Sequence, residues 1–348
     1  MKLGLVIYGS LDTLSGGYLY DRKLVEYLRS QGDTVEIISL PWRNYAAHLT
    51  DNLRFRLPAN LDILIQDELN HPSLIVANRG QHPYPVISLV HHLRCSELRP
   101  QWQNALYRVI EKKYLNSVDG FIFNSKTTHN VVHGLLENHK PGFIGYPPTD
   151  RFGNPISENE IIERAKHAEF RILFLGNVMY RKGLHTLLEA VRCLQGKIRV
   201  DVVGSLNTDP SYAKLIHEII TRNGLSSSVF LHGSLDKQPL VEQFKNAHVL
   251  VVPSSYEGFG IVYLEGMGFG LPAIGTTAGA AGEIIEHGKT GYLIAPDDSN
   301  ALAEHLKLLV EDRDLLIRLS LNARARYLRQ PSWIETAQKI REFLASFL

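Results

Sequence analysis

The sequence has little cysteine and no excess of charge of either sign. Its two cysteines, Cys95 and Cys193, lie far apart in a chain of 348 residues, which excludes a CxxC metal or redox motif and a disulfide framework. Lysine and arginine (37) balance aspartate and glutamate (36), for a formal charge of +1. No general positive field attracts nucleic acid, so we expect no nucleic-acid partner.

Long hydrophobic runs are absent as well. No stretch approaches the roughly 20 apolar residues that a membrane-spanning helix needs. The opening residues, MKLGLVIYG, carry one lysine and an apolar run too short for a signal peptide, so we expect a cytoplasmic protein. Its length predicts about two domains, and its composition, 44% hydrophobic and 21% charged, is that of an ordinary globular protein.

Short apolar runs alternate along the chain with longer stretches of helical period. This alternation is typical of βαβ units and parallel sheets. It is interrupted once, by the segment YPPTDRFGNPISEN, whose three prolines indicate a linker. The sequence therefore predicts an α/β protein with two Rossmann-like, doubly wound domains that face each other across a cleft, with residues 1–150 in the first and residues 151–330 in the second. A C-terminal helix at 331–348 has an apolar stripe that either domain could cover, and we expect it to pack back on the first.

Glycine is concentrated in one part of the predicted second domain. Ten of the 27 glycines lie in the 39 residues from Pro253 to Gly291. There an apolar strand runs into Ser254–Gly260 and then into a helical pattern, an order that presents backbone N–H groups and a helix N-terminus to an anion. Glu257 and Glu265 flank the helix start, where carboxylates can accept hydrogen bonds from the vicinal hydroxyls of a sugar; taken singly, each is more simply a helix-end or surface charge.

This block closely resembles the signature of the retaining family-4 glycosyltransferases. Their E-x7-E motif matches Glu257 and Glu265 within about 45 residues of similar sequence, in the order strand, turn and helix. The resemblance implies that Glu257 faces the transferred sugar and that Glu265 holds the ribose of the nucleotide. It also implies that the backbone N–H groups of Gly258, Phe259 and Gly260 contact the sugar and the phosphates.

A second element, FLGNVMYRKG, brings two cations to the end of another strand. Arg181 and Lys182 can neutralise a diphosphate leaving group without a metal ion, although such a pair alone is more often a solvated flank of a helix. The element resembles the phosphate-binding loop of the same family, in which Lys182 before Gly183 matches. Asn177 stands where the family has its first arginine, and Arg181 is the substitute that we consider for the missing charge.

Two features of the first domain resemble parts of the same family's cleft, and the resemblance implies that Gly16 and Gly17 bind the donor and that His91 is catalytic. Gly16 and Gly17 precede a helix after the first strand, where the family has a glycine pair that lines the cleft; by itself such a pair is usually a turn. His91 follows an apolar strand and matches a histidine of the family, while His92 replaces the usual aspartate. A single histidine is more often structural.

The stretch from Arg94 to Lys113 combines basic and apolar residues. Trp102, Leu106, Val109 and Ile110 recur in it at helical spacing. One interpretation is a helix that rests on an anionic membrane surface. We favour the other, a helix docked on its own sheet with a solvated outer face.

Together the resemblance implies a retaining glycosyltransferase of the glycosyltransferase-B architecture. It would transfer a sugar from a UDP- or GDP-sugar to a hydroxyl of a glycan, lipid-linked or small-molecule acceptor, with no cofactor and no metal. It would be cytoplasmic, with peripheral contact to the cytoplasmic face of a membrane as a further expectation. The alternatives are an epimerase or phosphorylase of the same architecture and a non-catalytic protein that binds nucleotide sugars.

Overall fold

The computed structural model describes residues 1–13, 15–52, 55–80, 82–148 and 150–348. It divides into two compact units, which we call unit 1 (Met1–Pro148 with Pro331–Leu348) and unit 2 (Thr149–Gln330). The last 18 residues belong with the first unit, although 182 residues separate them from it in the sequence. Among the described residues, no helix combines the length and apolar character needed to cross a bilayer.

Unit 1 contains a parallel sheet of six strands. The strands are β1 (Lys2–Tyr8), β2 (Thr34–Leu40), β3 (Ile63–Asp67), β4 (Val86–Val90), β5 (Gly120–Phe123) and β6 (Gly142–Ile144). Their order is β2-β1-β3-β4-β5-β6. Both faces of the central strands are covered, which is why β1, β3 and β4 are nearly continuous apolar runs.

The helices of unit 1 connect these strands, and the last helix comes from the end of the chain. They are α1 (Gly16–Ser30), α2 (Tyr45–Asp51), α3 (His71–Leu74), α4 (Gln101–Leu115), α5 (Lys126–His133) and α13 (Trp333–Ala345). The ring of Trp333 meets that of Tyr20 edge-on at 5.5 Å. Arg341 forms an ion pair with the buried Asp33, with Nε and Oδ2 2.6 Å apart. Apolar packing and this ion pair together hold α13 on unit 1.

Unit 2 repeats the architecture with its own six-stranded parallel sheet. Its strands are β7 (Phe170–Leu175), β8 (Ile198–Val203), β9 (Val229–Gly233), β10 (Val249–Val251), β11 (Ala273–Thr276) and β12 (Gly291–Ile294). Its helices are α6 (Glu158–Ala165), α7 (Leu184–Val191), α8 (Pro210–Arg222), α9 (Lys237–Asn246), α10 (Ile261–Gly268), α11 (Ser299–Glu311) and α12 (Arg313–Leu328). The strand order is β12-β11-β10-β7-β8-β9. The predicted class, α/β with two Rossmann-like domains, is confirmed.

The basic helix packs on unit 1, as we favour, but only Ile110 of its four named apolar residues faces the core. In α4, Trp102 is 69% exposed, and Leu106 and Val109 are also exposed. The helix buries its other side, through Glu111, Tyr114 and Leu115. The sequence contains two apolar sets on one helix, and helical spacing alone does not show which set packs on the sheet.

Candidate functional site

The sheet of unit 2 changes direction between β7 and β10. From β7 the chain runs outward through β8 and β9, and then returns to place β10 on the other side of β7. In a parallel α/β sheet, ligands bind outside the carboxyl ends of the strands at such a point. The two segments that follow β7 and β10 are those that carry Lys182 and Glu257.

Lys182 and Glu257 are joined in a buried ion pair. The ammonium group of Lys182 donates a hydrogen bond to Oε1 of Glu257, and the Ser254 hydroxyl donates to the same oxygen over 2.7 Å. Arg181 lies at the edge of the pair, with Nη1 4.0 Å from Oε2 of Glu257. The carboxylate is therefore held by two cations and a hydroxyl.

Close backbone contacts bring these segments together. Gly183, which has φ +71°, leaves no room for a side chain, because a Cβ there would lie 2.1 Å from the carbonyl oxygen of Pro253. Gly279, with φ +83°, approaches Glu257 in the same way, at 2.1 Å from its carbonyl oxygen. Only glycine permits both the left-handed conformation and the close approach. Glu257 is thus fixed from both neighbouring segments.

Glu265 belongs to a separate ion pair. It is buried in α10, and its Oε1 accepts a hydrogen bond over 2.7 Å from Nη1 of Arg151. The guanidinium of Arg151 in turn lies over the ring of Phe152 at 4.8 Å. The structure therefore gives the two glutamates of the E-x7-E pattern different cationic partners.

Electrostatics distinguish the two carboxyl groups further. Burial opposes the ionisation of Glu257, but Lys182, Arg181 and the Ser254 hydrogen bond outweigh it and lower the pKa of Glu257 to about 2. For Glu265, burial outweighs Arg151 and raises the pKa of the carboxyl group. Glu257 is a fixed negative charge at neutral pH, whereas Glu265 holds its charge less firmly.

The family resemblance is weakest at Arg181 and Asn177. Each of these side chains forms a hydrogen bond with a neighbouring loop. Nη1 of Arg181 donates a hydrogen bond to the carbonyl oxygen of Tyr256 over 2.8 Å. Oδ1 of Asn177 accepts one from the backbone N–H of Ser205 over 3.3 Å. Arg181 thus lies beside Glu257 as a second cation, while Asn177 fixes the loop that follows β8.

The segment Gly258–Gly260 leads directly into α10. Gly260 has φ +88° and is the N-cap, where it offers no side-chain hydrogen bond to the helix. Phe259 is buried, and Gly258 and Gly260 are partly exposed. The N-terminus of α10 therefore points its dipole toward the end of the sheet where Glu257 lies, as the sequence predicts.

His91 lies in unit 1, immediately after β4. Its Nε2 is 2.9 Å from Oδ1 of Asp21, a residue of α1 that is completely buried. Burial works against the charged imidazolium, but Asp21, Asp67 and Glu68 outweigh it and raise the pKa of His91 to about 9. At neutral pH, His91 is therefore an imidazolium held by a buried carboxylate.

The glycine pair lies next to this histidine. Gly16 and Gly17 form the first turn of α1 rather than preceding it, because Ser15 is the N-cap and accepts a hydrogen bond from the backbone N–H of Tyr18. A Cβ at Gly17 would lie 3.2 Å from Cδ2 of His91. The structure thus brings Gly17 and His91 together within unit 1.

Two clusters of unit 1 have the spacing of metal ligands: Asp21 with Asp67 and His91, and Glu68 with His71 and Glu111. Most of their donor atoms already have partners. In the second cluster, both oxygens of Glu111 accept backbone N–H groups, from Arg94 and Cys95. The expectation that no metal is required stays a prediction.

Sequence reasoning missed several partners of the site residues. Arg151 lies in the segment that the sequence marks only as a linker, and Asp21 lies in α1 after the glycine pair, at a position that no motif marks. Ser254 is within the quoted block, but nothing there indicates its bond to Glu257. The one available signal was an aspartate on the buried side of α1, between Tyr20 and Leu24, where an unpaired charge is costly.

The geometry defines a two-unit α/β protein with a charged site at the strand ends of its second unit, a class that commonly binds nucleotides. Residues 156–326 match the family described as "Glycosyl transferases group 1". Unit 2 therefore contains a glycosyl transferases group 1 domain, which confirms the resemblance at this level.

Two curated relatives are matched over part of their length. The D-rhamnosyltransferase WbpZ of Pseudomonas aeruginosa is 29% identical over 262 residues, which are 70% of this chain and 67% of that protein. The capsular polysaccharide biosynthesis glycosyltransferase CapM of Staphylococcus aureus is 27% identical over 66% of this chain and 62% of its own. The chain thus spans about two thirds or less of these relatives.

Two solved structures share the fold over almost the whole chain. Sucrose-phosphate synthase from Thermosynechococcus elongatus aligns with a TM-score of 0.83 and 19% identity, over 99% of this chain and 98% of that one. HepE of Anabaena, in complex with UDP and glucose, aligns with a TM-score of 0.77 and 20% identity, over 99% and 100% of the two chains. At these identities the likeness establishes the fold.

Proposed function

We propose that the chain is a glycosyltransferase that moves a sugar from a nucleotide-diphosphate sugar, UDP- or GDP-linked, to a hydroxyl of an acceptor. The observation that carries the proposal is the buried Lys182–Glu257 pair at the switch point of a glycosyl transferases group 1 domain. The matched relatives are described as glycosyltransferases, and HepE was solved with UDP and glucose.

In this proposal unit 2 binds the donor. The ionised Glu257 accepts hydrogen bonds from sugar hydroxyls, and Glu265 accepts those of the ribose. Lys182 and Arg181 stabilise the negative charge that develops on the diphosphate as the glycosidic bond breaks. Backbone N–H groups of Gly258–Gly260 orient the sugar and phosphates, and no metal is required.

Retention of the anomeric configuration is part of the proposal. The acceptor hydroxyl attacks the anomeric carbon on the face from which the diphosphate departs, and an oxygen of that diphosphate takes the hydroxyl proton. The bond to the leaving oxygen breaks as the bond to the acceptor oxygen forms, so no covalent enzyme intermediate is needed. The proposal also gives His91, beside Gly16 and Gly17 in unit 1, a catalytic role as a donor of a hydrogen bond to a sugar hydroxyl.

A screen of UDP-, GDP- and ADP-sugars tests this function. We expect one donor to raise the melting temperature and to be hydrolysed slowly, and the glycoside formed with an acceptor to keep the donor's anomeric configuration by NMR. An isomerised sugar nucleotide, or a glycosyl phosphate formed from inorganic phosphate, would instead establish the epimerase or phosphorylase alternative. Tight binding without hydrolysis or transfer would establish the non-catalytic one.

We further propose that α4 contacts the cytoplasmic face of a membrane, where a lipid-linked acceptor is available. Its exposed side combines Trp102, Leu106 and Val109 with the exposed cations Arg108 and Lys113. Exposed apolar side chains flanked by positive charge favour the interface of an anionic bilayer.

Vesicle cosedimentation tests this contact. We expect binding to phosphatidylglycerol vesicles but weaker binding to phosphatidylcholine vesicles, and loss of binding in Trp102→Ser. Leu308→Ser, an exposed leucine of unit 2, is the matched control and should bind like the wild type. Equal binding to both lipids, or self-association of the chain through α4 in place of vesicle binding, would contradict the contact.

A further inference from the structure

Unit 1 contains a pocket that the proposed donor site does not use. Its volume is about 310 Å³, near the lower end of the roughly 300–1,000 Å³ typical of ligand pockets. Aromatic and cationic side chains dominate its lining. They include Tyr8, Trp42, Arg43, Tyr45, His48 and Arg94.

The pocket lies where the topology of unit 1 favours a ligand. From β1 the chain goes first to β2 on one side and then to β3 on the other, so the sheet changes direction at β1. Tyr8 ends β1, Trp42 follows β2 by two residues, and Leu69 follows β3 by two. The pocket is therefore at the carboxyl ends of the strands, at the switch point of this sheet.

Trp42 presents an aromatic face at the pocket. It is 54% exposed, although its ring is held close to Tyr8, with centroids 5.3 Å apart. Gly9, with φ +65°, allows the approach, since a Cβ there would lie 2.6 Å from the Trp42 ring. A large ring held in place from one side and open on the other is suited to stack on the C–H face of a sugar.

Arg94 supplies a positive charge that has no anionic partner among the described residues. Its guanidinium lies 5.1 Å from the ring centroids of both Tyr45 and Tyr107, and its Nε is buried without a hydrogen bond. None of the ion pairs within 4.0 Å in the described part of the chain involves it. The second cation of the pocket, Arg43, is already paired with Asp51 at 2.7 Å.

The acidic groups near Arg94 do not cancel its charge. Glu68 and Glu111 lie close by, but burial, their largest influence, raises the pKa of each to about 7. At neutral pH each carboxyl group therefore carries only part of a full negative charge. The oxygens of Glu111 are also occupied by backbone N–H groups. A ligand anion remains the group best placed to meet the Arg94 guanidinium.

We propose that this pocket binds the acceptor of the reaction, and that the acceptor is a saccharide bearing a phosphate or carboxylate group. Arg94 contacts the anion through charged hydrogen bonds, and Trp42 stacks on the sugar ring. The inference rests on the proposed function, because it assigns the acceptor class of the same transferase.

Calorimetric titration of the full chain with glucose 6-phosphate, glucuronate and glucose tests the inference. We expect one or both anionic sugars to bind more tightly than glucose, and the tighter of the two identifies the anion. Arg94→Gln should weaken the anionic sugars about tenfold or more and leave glucose unchanged. Arg79→Gln, an exposed arginine of the same unit outside the pocket lining, should leave all three unchanged.

A second variant guards against a folding defect in Arg94→Gln. Trp42→Ala, at a half-exposed position, should weaken all three sugars alike. Three results would overturn the inference. They are equal affinity for glucose and the anionic sugars, no binding of any of the three sugars, and a loss of affinity in Arg79→Gln equal to that in Arg94→Gln. UDP titrated in parallel separates the two proposals. If the chain binds UDP and transfers sugar but the pocket binds none of the three sugars, this inference alone is overturned. If the pocket binds them but no donor supports transfer, the proposed function is overturned.

Discussion

At the scale of single residues, the carboxylate of Glu257 depends on the cation beside it. The Lys182–Glu257 pair is buried, and removing Lys182 leaves the carboxylate with only the more distant Arg181 and the Ser254 hydroxyl in a poorly hydrated site. We expect Lys182→Met to lower the free energy of unfolding by on the order of 3 kcal/mol, and the double variant Lys182→Met/Glu257→Gln to recover much of it.

Urea unfolding followed by circular dichroism measures the free energies of unfolding in this double-mutant cycle. The matched control is Lys245→Met with Glu242→Gln, an exposed pair of the same unit whose charges are 3.5 Å apart. Its coupling should be below about 1 kcal/mol, because surface pairs are screened by water. Similar coupling in the two cycles would show that the buried pair is not the strong interaction described above.

The protonation of His91 gives a second prediction at this scale. Its folded-state pKa, about 9, lies above the ordinary value of 6.5, so its contribution to stability is fully present below about pH 6.5 and is lost as the pH rises through about 9. We expect histidine NMR to show a resonance that titrates near 9 and is absent in His91→Gln. In Asp21→Asn that pKa should fall toward 6.5, and an unchanged titration would rule out Asp21 as its cause.

Sequence reasoning succeeded for residues that carry a recognisable pattern and failed for their partners. Glu257 and Lys182 lie in motifs with fixed spacing, and the structure places them in contact. Arg151 and Asp21 approach Glu265 and His91 from 114 and 70 residues away, and such pairings depend on the tertiary fold. A local sequence pattern therefore does not predict these pairings.

At the scale of elements, the site depends on how closely two loops approach. Gly183→Ala should be much more disruptive than Gly224→Ala, although both glycines have nearly the same φ, +71° and +69°. Gly224 has open space around it, so alanine there costs only the left-handed strain of about 1–2 kcal/mol. At Gly183 the new Cβ would also collide with the Pro253 carbonyl and separate Lys182 from Glu257.

Nucleotide titration and melting temperature measure both effects. Gly183→Ala should lose donor binding, whereas Gly224→Ala should keep it and melt only slightly earlier. Comparable losses in the two variants would mean that the close approach at Gly183 is not what assembles the site.

The C-terminal helix gives a second comparison between matched residues. In α13, Ile340 is 1% exposed and packs against Gly145, whereas Ile334 is 65% exposed. Ile340→Ala should destabilise unit 1 by about 2–5 kcal/mol, and Ile334→Ala by less than about 0.5 kcal/mol. All three tryptophans belong to unit 1, so fluorescence reports its unfolding directly. If the two variants unfold at the same urea concentration, α13 does not complete that core.

Element types were easier to predict than the surfaces they bury. The alternation of apolar runs and helical periods indicates the class of both sheets, because strands covered on both faces must be apolar throughout. For α4 the docking on its own unit is right, but the side is not: Trp102, Leu106 and Val109 form an exposed apolar stripe, and Tyr114 and Leu115 are buried instead. The helical period locates an apolar stripe on a helix but does not identify the surface on which that stripe packs.

At the scale of the whole molecule, two parallel six-stranded sheets with different strand orders carry different chemistry. Unit 2 places a carboxylate and two cations at its switch point. Unit 1 places at its own an aromatic face and a guanidinium that has no anionic partner within the described part of the chain. The near-zero net charge of the chain is consistent with this, because a few placed side chains provide the local charge.

The measurement that tests the central claim most directly is the rate of sugar transfer by Glu257→Gln, compared with Glu242→Gln on the surface of the same unit. Glutamine keeps the size of the side chain and removes its charge. We predict that Glu257→Gln remains folded but loses about 10²–10³-fold in kcat, while Glu242→Gln retains the wild-type rate. A wild-type rate in Glu257→Gln would contradict the assignment of the Lys182–Glu257 site as the centre of sugar transfer.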